Sequence, residues 1–94
     1  MKIQQLINDK MNPATNQFVI FDGNKIYFQS YQTTIARYDV VTNELVLSKD
    51  WNYSRTTTKH LNIFLREYTN YYISSSKEIK ENIKNKTFKI VNTF

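Results

Sequence analysis

Two kinds of hydrophobic spacing divide this chain. From Gln17 to Ser48, apolar and polar residues alternate in short segments, which is typical of β-strands with one buried face. From Trp51 to Tyr72, large side chains recur at the spacing of one helical stripe, and the pattern predicts a helix that closes the core of a small sheet. The side chains of this stripe are Leu61, Phe64, Leu65, Tyr68 and Tyr72.

The predicted strands lie on both sides of this main helix. Asp22-Gly23-Asn24 separates the first two strands, and Asp-Gly is a strong hairpin signal because glycine tolerates a positive φ. The last stretch of the chain also alternates, and we expect it to pair at an edge of the sheet. The predicted strands are residues 17–21, 25–31, 33–41, 44–48 and 87–94.

The first residues of the chain have a helical spacing of their own. Within residues 2–11, Ile3, Leu6 and Ile7 fall on one face of a helix. Pro13 follows, and the residue before a proline disfavours the helical region. The pattern therefore predicts a short N-terminal helix that docks on the rest of the fold.

Hydroxyl residues predict where the other helices begin. Ser54 is the preferred N-cap of the main helix, with Thr56 and Thr57 as alternatives, because a side-chain oxygen there accepts from a free backbone N–H group. A capping-box spacing begins at Ser75, where a glutamate follows three residues later. This spacing predicts a short C-terminal helix over residues 77–85.

Together these elements predict an α+β fold. We expect a single domain over residues 1–94, with a four- to five-stranded, mostly antiparallel sheet packed against one main helix and with short N-terminal and C-terminal helices. Seven tyrosines and six phenylalanines predict a core rich in aromatic rings. The predicted core residues are Phe18, Ile20, Ile26, Phe28, Ile35, Leu45, Leu47, Trp51, Leu61, Phe64, Leu65, Tyr68, Phe88 and Ile90.

Composition adds information about compartment and partners. The chain has no cysteine, no apolar run of signal-peptide length and no stretch long enough to span a bilayer, so we expect a soluble protein in the cytoplasm. The net charge of +5 favours contact with nucleic acid or with an acidic protein surface. The many Asn, Lys and Ile residues are also typical of an AT-rich coding genome, which would explain part of the lysine excess.

The residues that carry most enzyme chemistry are scarce. His60 is the single histidine, and we expect it to be a partly exposed helix residue without a metal or catalytic role. The eight carboxylates are scattered over predicted turns and surfaces, and a single glycine excludes a phosphate-binding glycine loop. We therefore predict a protein that is not an enzyme, with no catalytic residues, no metal site and no cofactor.

Basic side chains give two candidate binding sites, each with a simpler alternative. Arg55 and Lys59 at the start of the main helix would hold a phosphate, or they are solvated residues beside a helix cap. A second group would grip a nucleic-acid backbone and stack a base, or it is the solvated face of an amphipathic helix. This second group consists of Tyr71, Tyr72, Lys77, Lys80, Lys84, Lys86 and Lys89.

Two motifs resemble a small domain that is common in phages and plasmids of Gram-positive bacteria. The first is Ser-Tyr-x-Thr-x-Ile-Ala, at residues 30–36, and the second is Trp-x-Tyr-Ser-x-Thr-Thr-x-Lys-His, at residues 51–60. The resemblance covers residues 18–66. It implies an accessory protein of a mobile element, and it attaches no activity to individual residues.

Three functions remain open from the sequence. The first expectation is a phage or mobile-element accessory protein that inhibits a host defence complex by stoichiometric binding, like an anti-CRISPR protein on a Cas effector. Its partner would be a host protein or ribonucleoprotein complex in the host cell cytoplasm, with possible nucleic-acid contact, no membrane and an undetermined oligomeric state. The alternatives are a small basic nucleic-acid-binding protein and a structural or assembly protein.

Overall fold

The computed structural model describes residues 1–73 and 75–94, and this part of the chain forms six strands and two helices. In chain order the elements are β1 (Lys2–Ile7), β2 (Pro13–Asp22), β3 (Lys25–Ser30), β4 (Thr33–Asp39), β5 (Leu45–Ser48), α1 (Arg55–Tyr68), α2 (Ser76–Lys84) and β6 (Lys89–Val91).

All six strands belong to one sheet, whose spatial order is the same as the chain order. The pairs from β1 to β5 are antiparallel, whereas β5 and β6 run parallel because both helices lie in the connection between them. The α+β class and the mostly antiparallel sheet are thus confirmed. The sheet has six strands rather than the predicted four or five.

The additional strand is β1, and the predicted helix over residues 2–11 is wrong. β1 pairs antiparallel with β2, where Ile3 lies opposite Ile20 and Gln4 lies opposite Val19. Leu6 is fully buried, whereas Ile3 is 60% exposed, so the apolar residues that share one face of a helix lie on two faces of the strand. The backbone bonds of the sheet edge decide the conformation, because so short a helix would be marginal by itself.

The central hairpin follows the sequence prediction. Gly23 has a φ of +62° in the β2–β3 turn, in the left-handed region that glycine adopts without strain. The register of β3 with β4 shifts between Phe28 and Gln29, where Ile35 of β4 is the extra residue of a bulge, so that both Ile35 and Ala36 are buried.

The main helix begins where expected and ends earlier. Ser54 is its N-cap, and its hydroxyl accepts from the backbone N–H of Thr57, as predicted. The helix ends at Tyr68 instead of Tyr72, because Thr69 is extended and its hydroxyl donates to the carbonyl of Leu65. Ser75 caps α2 through the N–H of its capping-box partner, which confirms the second predicted helix start.

Both helices cover one face of the sheet. Phe64 of α1 is fully buried and stacks on Phe28 of β3, with ring centroids 5.6 Å apart, and on Tyr68 at 5.7 Å. Ile79 of α2 is buried in the same core. Nine of the predicted core residues are buried there: Phe28, Ile35, Leu45, Leu47, Trp51, Leu61, Phe64, Leu65 and Phe88.

The opposite face of the sheet, here called the outer face, carries two of the other predicted core residues. Phe18 and Ile20 alternate with buried residues of β2 and are only partly buried. Ile20 lies opposite Tyr27, and the guanidinium of Arg37 lies 5.6 Å from the ring centroid of Phe94. The prediction that Phe18 and Ile20 lie in the core is therefore wrong, as it is for Ile90 on β6, which is 39% exposed.

Candidate anion-binding groove

An open groove of about 730 Å³ lies where the starts of the two helices meet. It is lined by the loop before α1, by the first turns of α1 and by the start of α2. We call this surface the basic groove. Its lining includes Tyr53, Arg55, Lys59, Asn62, Ser75 and Lys80.

Helical spacing aligns the α1 side chains of the basic groove. With Ser54 as the N-cap, Arg55 is the first helical residue, and Lys59 follows it by four positions. Residues four apart are neighbours on a helix surface, so both cations border the same side of α1. Each cap hydroxyl accepts from one N–H group of its own helix, and the basic side chains add full positive charges to the groove.

Tertiary packing adds a third cation from α2. Lys80 lies in the second turn of α2, which buries Ile79 in the core and thereby fixes the side that faces α1. Arg55, Lys59 and Lys80 are all exposed. None of the three has an ion-pair partner within residues 1–73 and 75–94. Three unneutralised positive charges therefore border one concave surface.

The groove also contains a polar atom that no neighbour satisfies. The side-chain Nδ2 of Asn62 donates to the carbonyl oxygen of Thr58 at 3.1 Å, which fixes the orientation of the amide. Its Oδ1 is buried and has no hydrogen-bond partner among the residues that the structure describes. This buried acceptor costs the folded state some stability, and its burial keeps it out of contact with a molecule bound in the groove.

Aromatic residues form the loop side of the groove. Trp51 is 5% exposed and belongs to the core, whereas the ring of Tyr53 is 53% exposed. The backbone N–H of Tyr53 donates to the carbonyl of Asp50 at 3.2 Å, which holds this loop in a turn. An accessible ring thus stands beside the basic side chains.

The remaining predicted lysines lie outside the basic groove. Lys77 and Lys84 are exposed residues of α2 that do not line it. Lys86 and Lys89 border a separate, more apolar depression of about 460 Å³ beside β6. The ammonium of Lys89 lies 2.7 Å from a carboxylate oxygen of Glu44 and lowers the pKa of that carboxyl group. The predicted C-terminal group is therefore split between two places.

The two predicted tyrosines have different surroundings. Tyr71 is partly buried, with its ring 4.9 Å from that of Phe88 and its hydroxyl donating to the carbonyl of Asn43 at 2.7 Å. Burial and the nearby Tyr38 raise the pKa of Tyr71. Tyr72 is 85% exposed and lies outside the basic groove. Only Tyr72 of this pair presents a free ring.

His60 is buried, which corrects the expectation of a partly exposed residue. Its Nδ1 donates to the carbonyl oxygen of Thr56 at 2.7 Å, one helical turn earlier. Within the described part of the chain, His60 joins no group of three or more His, Cys, Asp or Glu residues that could hold a metal ion.

Sequence reasoning missed Tyr53 and Asn62 as members of the site. Asn62 follows Arg55 by seven positions and Lys59 by three, so helical spacing alone would have placed it on the same face. Tyr53 stands directly before the predicted N-cap, at the mouth of any site built on the first turn. These two signals were available, whereas the approach of Lys80 depends on the packing of α2.

Comparison with known proteins gives a family for most of the chain. The profile of a family described as "Family of unknown function (DUF8033)" matches residues 1–84, which includes every residue of the basic groove and ends before β6. No curated protein and no solved structure matches the chain. No helix in the described ranges is both long and apolar enough to cross a membrane.

Proposed function

We propose that this chain, which belongs to the family of unknown function DUF8033, binds the phosphate backbone of a nucleic acid in its basic groove. The observation that carries the proposal is the convergence of Arg55, Lys59 and Lys80 on one open surface, without carboxylate partners among the described residues. Cationic side chains at such a surface displace the counterions of a phosphate backbone, and their release favours binding.

The shape of the groove supports a polymer rather than a small anion. It is open to solvent and measures about 730 Å³, so it would not enclose a single phosphate. A net charge of +5 adds long-range attraction to any polyanion. We propose that the chain acts in the cytoplasm of a host cell as an accessory protein of a mobile element, which the resemblance of its motifs supports.

The test is a salt series of oligonucleotide binding by fluorescence anisotropy. For the unmodified chain, the logarithm of the affinity should fall with the logarithm of salt concentration by roughly 0.7–0.9 for each phosphate contacted. The triple variant Arg55→Gln, Lys59→Gln and Lys80→Gln should lose three such contacts, so its slope should be smaller by roughly 2–3.

A matched control removes the same charge elsewhere. Lys10, Lys49 and Lys84 are exposed and lie outside the basic groove, so their triple change to Gln should leave most of the salt slope intact. Equal losses in the two variants would show that binding follows net charge rather than the groove. An unchanged slope in the groove variant would contradict the proposal directly.

A second proposal is that the chain inhibits a host defence complex by stoichiometric binding, as anti-CRISPR proteins inhibit Cas effectors. The observation that favours it is the outer face, where Ile3 is 60% exposed beside the partly buried Phe18, Ile20 and Tyr27. Exposed apolar and aromatic side chains of this kind are frequent at protein interfaces. The partner would be a protein or a ribonucleoprotein complex of the host.

One set of assays distinguishes the two proposals. The tagged chain is tested for capture of Cas effectors and for inhibition of their nuclease activity, first unmodified and then as the Arg55, Lys59 and Lys80 variant. Inhibition that survives in this variant, while oligonucleotide binding is lost, would assign inhibition to protein contact. Absence of both capture and inhibition with every effector of the host would contradict the second proposal.

A further inference from the structure

Tyr53 gives the basic groove a feature that a pure phosphate site does not need. Its ring is 53% exposed and borders two concave surfaces, the basic groove and a smaller depression of about 290 Å³ shared with Thr33 and Asp50. A ring in this position has open space beside it for a planar group. Nucleobases stack on such aromatic side chains, and stacking tolerates any base because each has a π-face.

From the exposed ring of Tyr53 beside the cations of the groove we infer that the basic groove takes single-stranded nucleic acid, with one base stacked on Tyr53. This inference rests on the proposed function, in which Arg55, Lys59 and Lys80 hold the adjacent phosphates. In a duplex the faces of the bases are covered by their stacked neighbours, so only an unpaired base can make this contact.

The experiment compares a single-stranded oligonucleotide with a hairpin duplex of the same length and charge at one salt concentration. Trp51 is the only tryptophan and lines the groove, so quenching of its fluorescence reports occupancy of this site, and anisotropy gives the affinity. We expect tighter binding of the single strand. Tyr53→Ala should weaken single-strand binding by roughly 5- to 150-fold, while Tyr53→Phe should retain it.

Two controls restrict the interpretation. Tyr72→Ala removes an 85% exposed ring outside the groove and should change neither affinity. Tyr53→Leu keeps an apolar side chain but removes the π-face, and it should resemble Tyr53→Ala. Thermal unfolding of each variant checks that the fold is intact.

The outcomes distinguish this inference from the proposed function. Equal binding of single strand and duplex, with no effect of Tyr53→Ala, would overturn the single-strand inference even if the Arg55, Lys59 and Lys80 variant loses all binding. Loss of single-strand preference in Tyr53→Ala and Tyr53→Leu alone would support it. Binding that is insensitive to the Arg55, Lys59 and Lys80 variant would instead overturn the proposed function.

Discussion

Gln17 shows how a single residue can oppose the stability of this fold. It is fully buried and lies in register with Ser30, whose hydroxyl oxygen lies 3.0 Å from that of Thr57 in α1. Both polar atoms of the Gln17 amide lack hydrogen-bond partners in the described part of the chain. A buried amide without partners has lost its bonds to water without replacement, which destabilises the folded state.

Replacement of Gln17 by methionine should therefore stabilise the protein. The side chains have similar length, and the change removes two unsatisfied polar atoms, so the free energy of unfolding should rise by about 1–3 kcal/mol in urea denaturation. Gln32→Met, at an exposed turn position, should stay within about 0.5 kcal/mol of the unmodified chain. A destabilised Gln17 variant would show that the amide is hydrogen-bonded in solution.

Asp39 shows the opposite case, a carboxylate with several donors. The ammonium of Lys25 lies 2.9 Å from its Oδ2, while the N–H groups of Thr42 and Val41 donate to its Oδ1 at 3.1 and 2.9 Å. These bonds, that of Lys25 foremost, lower the pKa of Asp39 from its ordinary 3.8 to about 2. The ionised carboxylate thus holds the β4–β5 turn.

The pKa of Asp39 predicts the acid dependence of stability. Because its folded pKa lies below its unfolded pKa, its contribution is complete above about pH 4 and is lost as the pH falls toward 2. Asp39→Asn should be less stable at pH 7 and should show a smaller fall across this window, measured by urea unfolding at several pH values. Unfolding curves that keep the unmodified pH dependence would contradict this role.

At the scale of secondary-structure elements, the sequence correctly predicts the elements whose residues favour only one conformation. The β2–β3 hairpin and both helix starts depend on Gly23, Ser54 and Ser75, whose chemistry acts locally. The segment of β1 was predicted as a helix, because Ile3 and Leu6 fit a helical stripe, but its pairing with β2 makes it a strand. Such pairing is tertiary and leaves no mark in a six-residue pattern.

The same division applies to the basic groove. Arg55 and Lys59 were predictable because they share the first turns of one helix. Lys80 joins them only because Ile79 anchors α2 in the core, and the sequence does not fix the position of one helix relative to another. Tyr71 was predicted as a candidate stacking residue, yet its ring packs on Phe88 because the chain turns after Thr69.

The contact of α1 with the sheet depends strongly on Phe64. Its ring is fully buried between Phe28 and Tyr68, so Phe64→Ala should lower the free energy of unfolding by about 3–5 kcal/mol. Phe94 is 44% exposed, and its described ring contact is the one with Arg37. Phe94→Ala should therefore lower the free energy of unfolding by about 1 kcal/mol or less. Similar melting temperatures for the two variants would contradict this packing.

At the scale of the whole molecule, positive charge is unevenly neutralised. Lys25, Arg66 and Lys89 lie within 2.6–2.9 Å of carboxylates, whereas the cations of the basic groove have no such partners in the ranges described. Other exposed lysines also lack such partners, and what distinguishes Arg55, Lys59 and Lys80 is that they border one groove at the meeting point of the two helix starts. Salt screens exposed charges over about 10 Å at 0.1 M, so the attraction of the chain for a polyanion should be strongest in dilute buffer.

The order of the strands also determines how the chain can fold. β1 to β5 pair with their neighbours through short turns, whereas β6 reaches β5 only after the long segment with both helices has returned. Long loop closures cost entropy, and non-local pairings form slowly. In pulse-labelled hydrogen exchange during refolding, amides of β2–β4 should gain protection before those of β6. Simultaneous protection would instead show a single concerted step. If β6 is protected last, Lys80 is the last cation to reach the basic groove, because α2 belongs to the same returning segment.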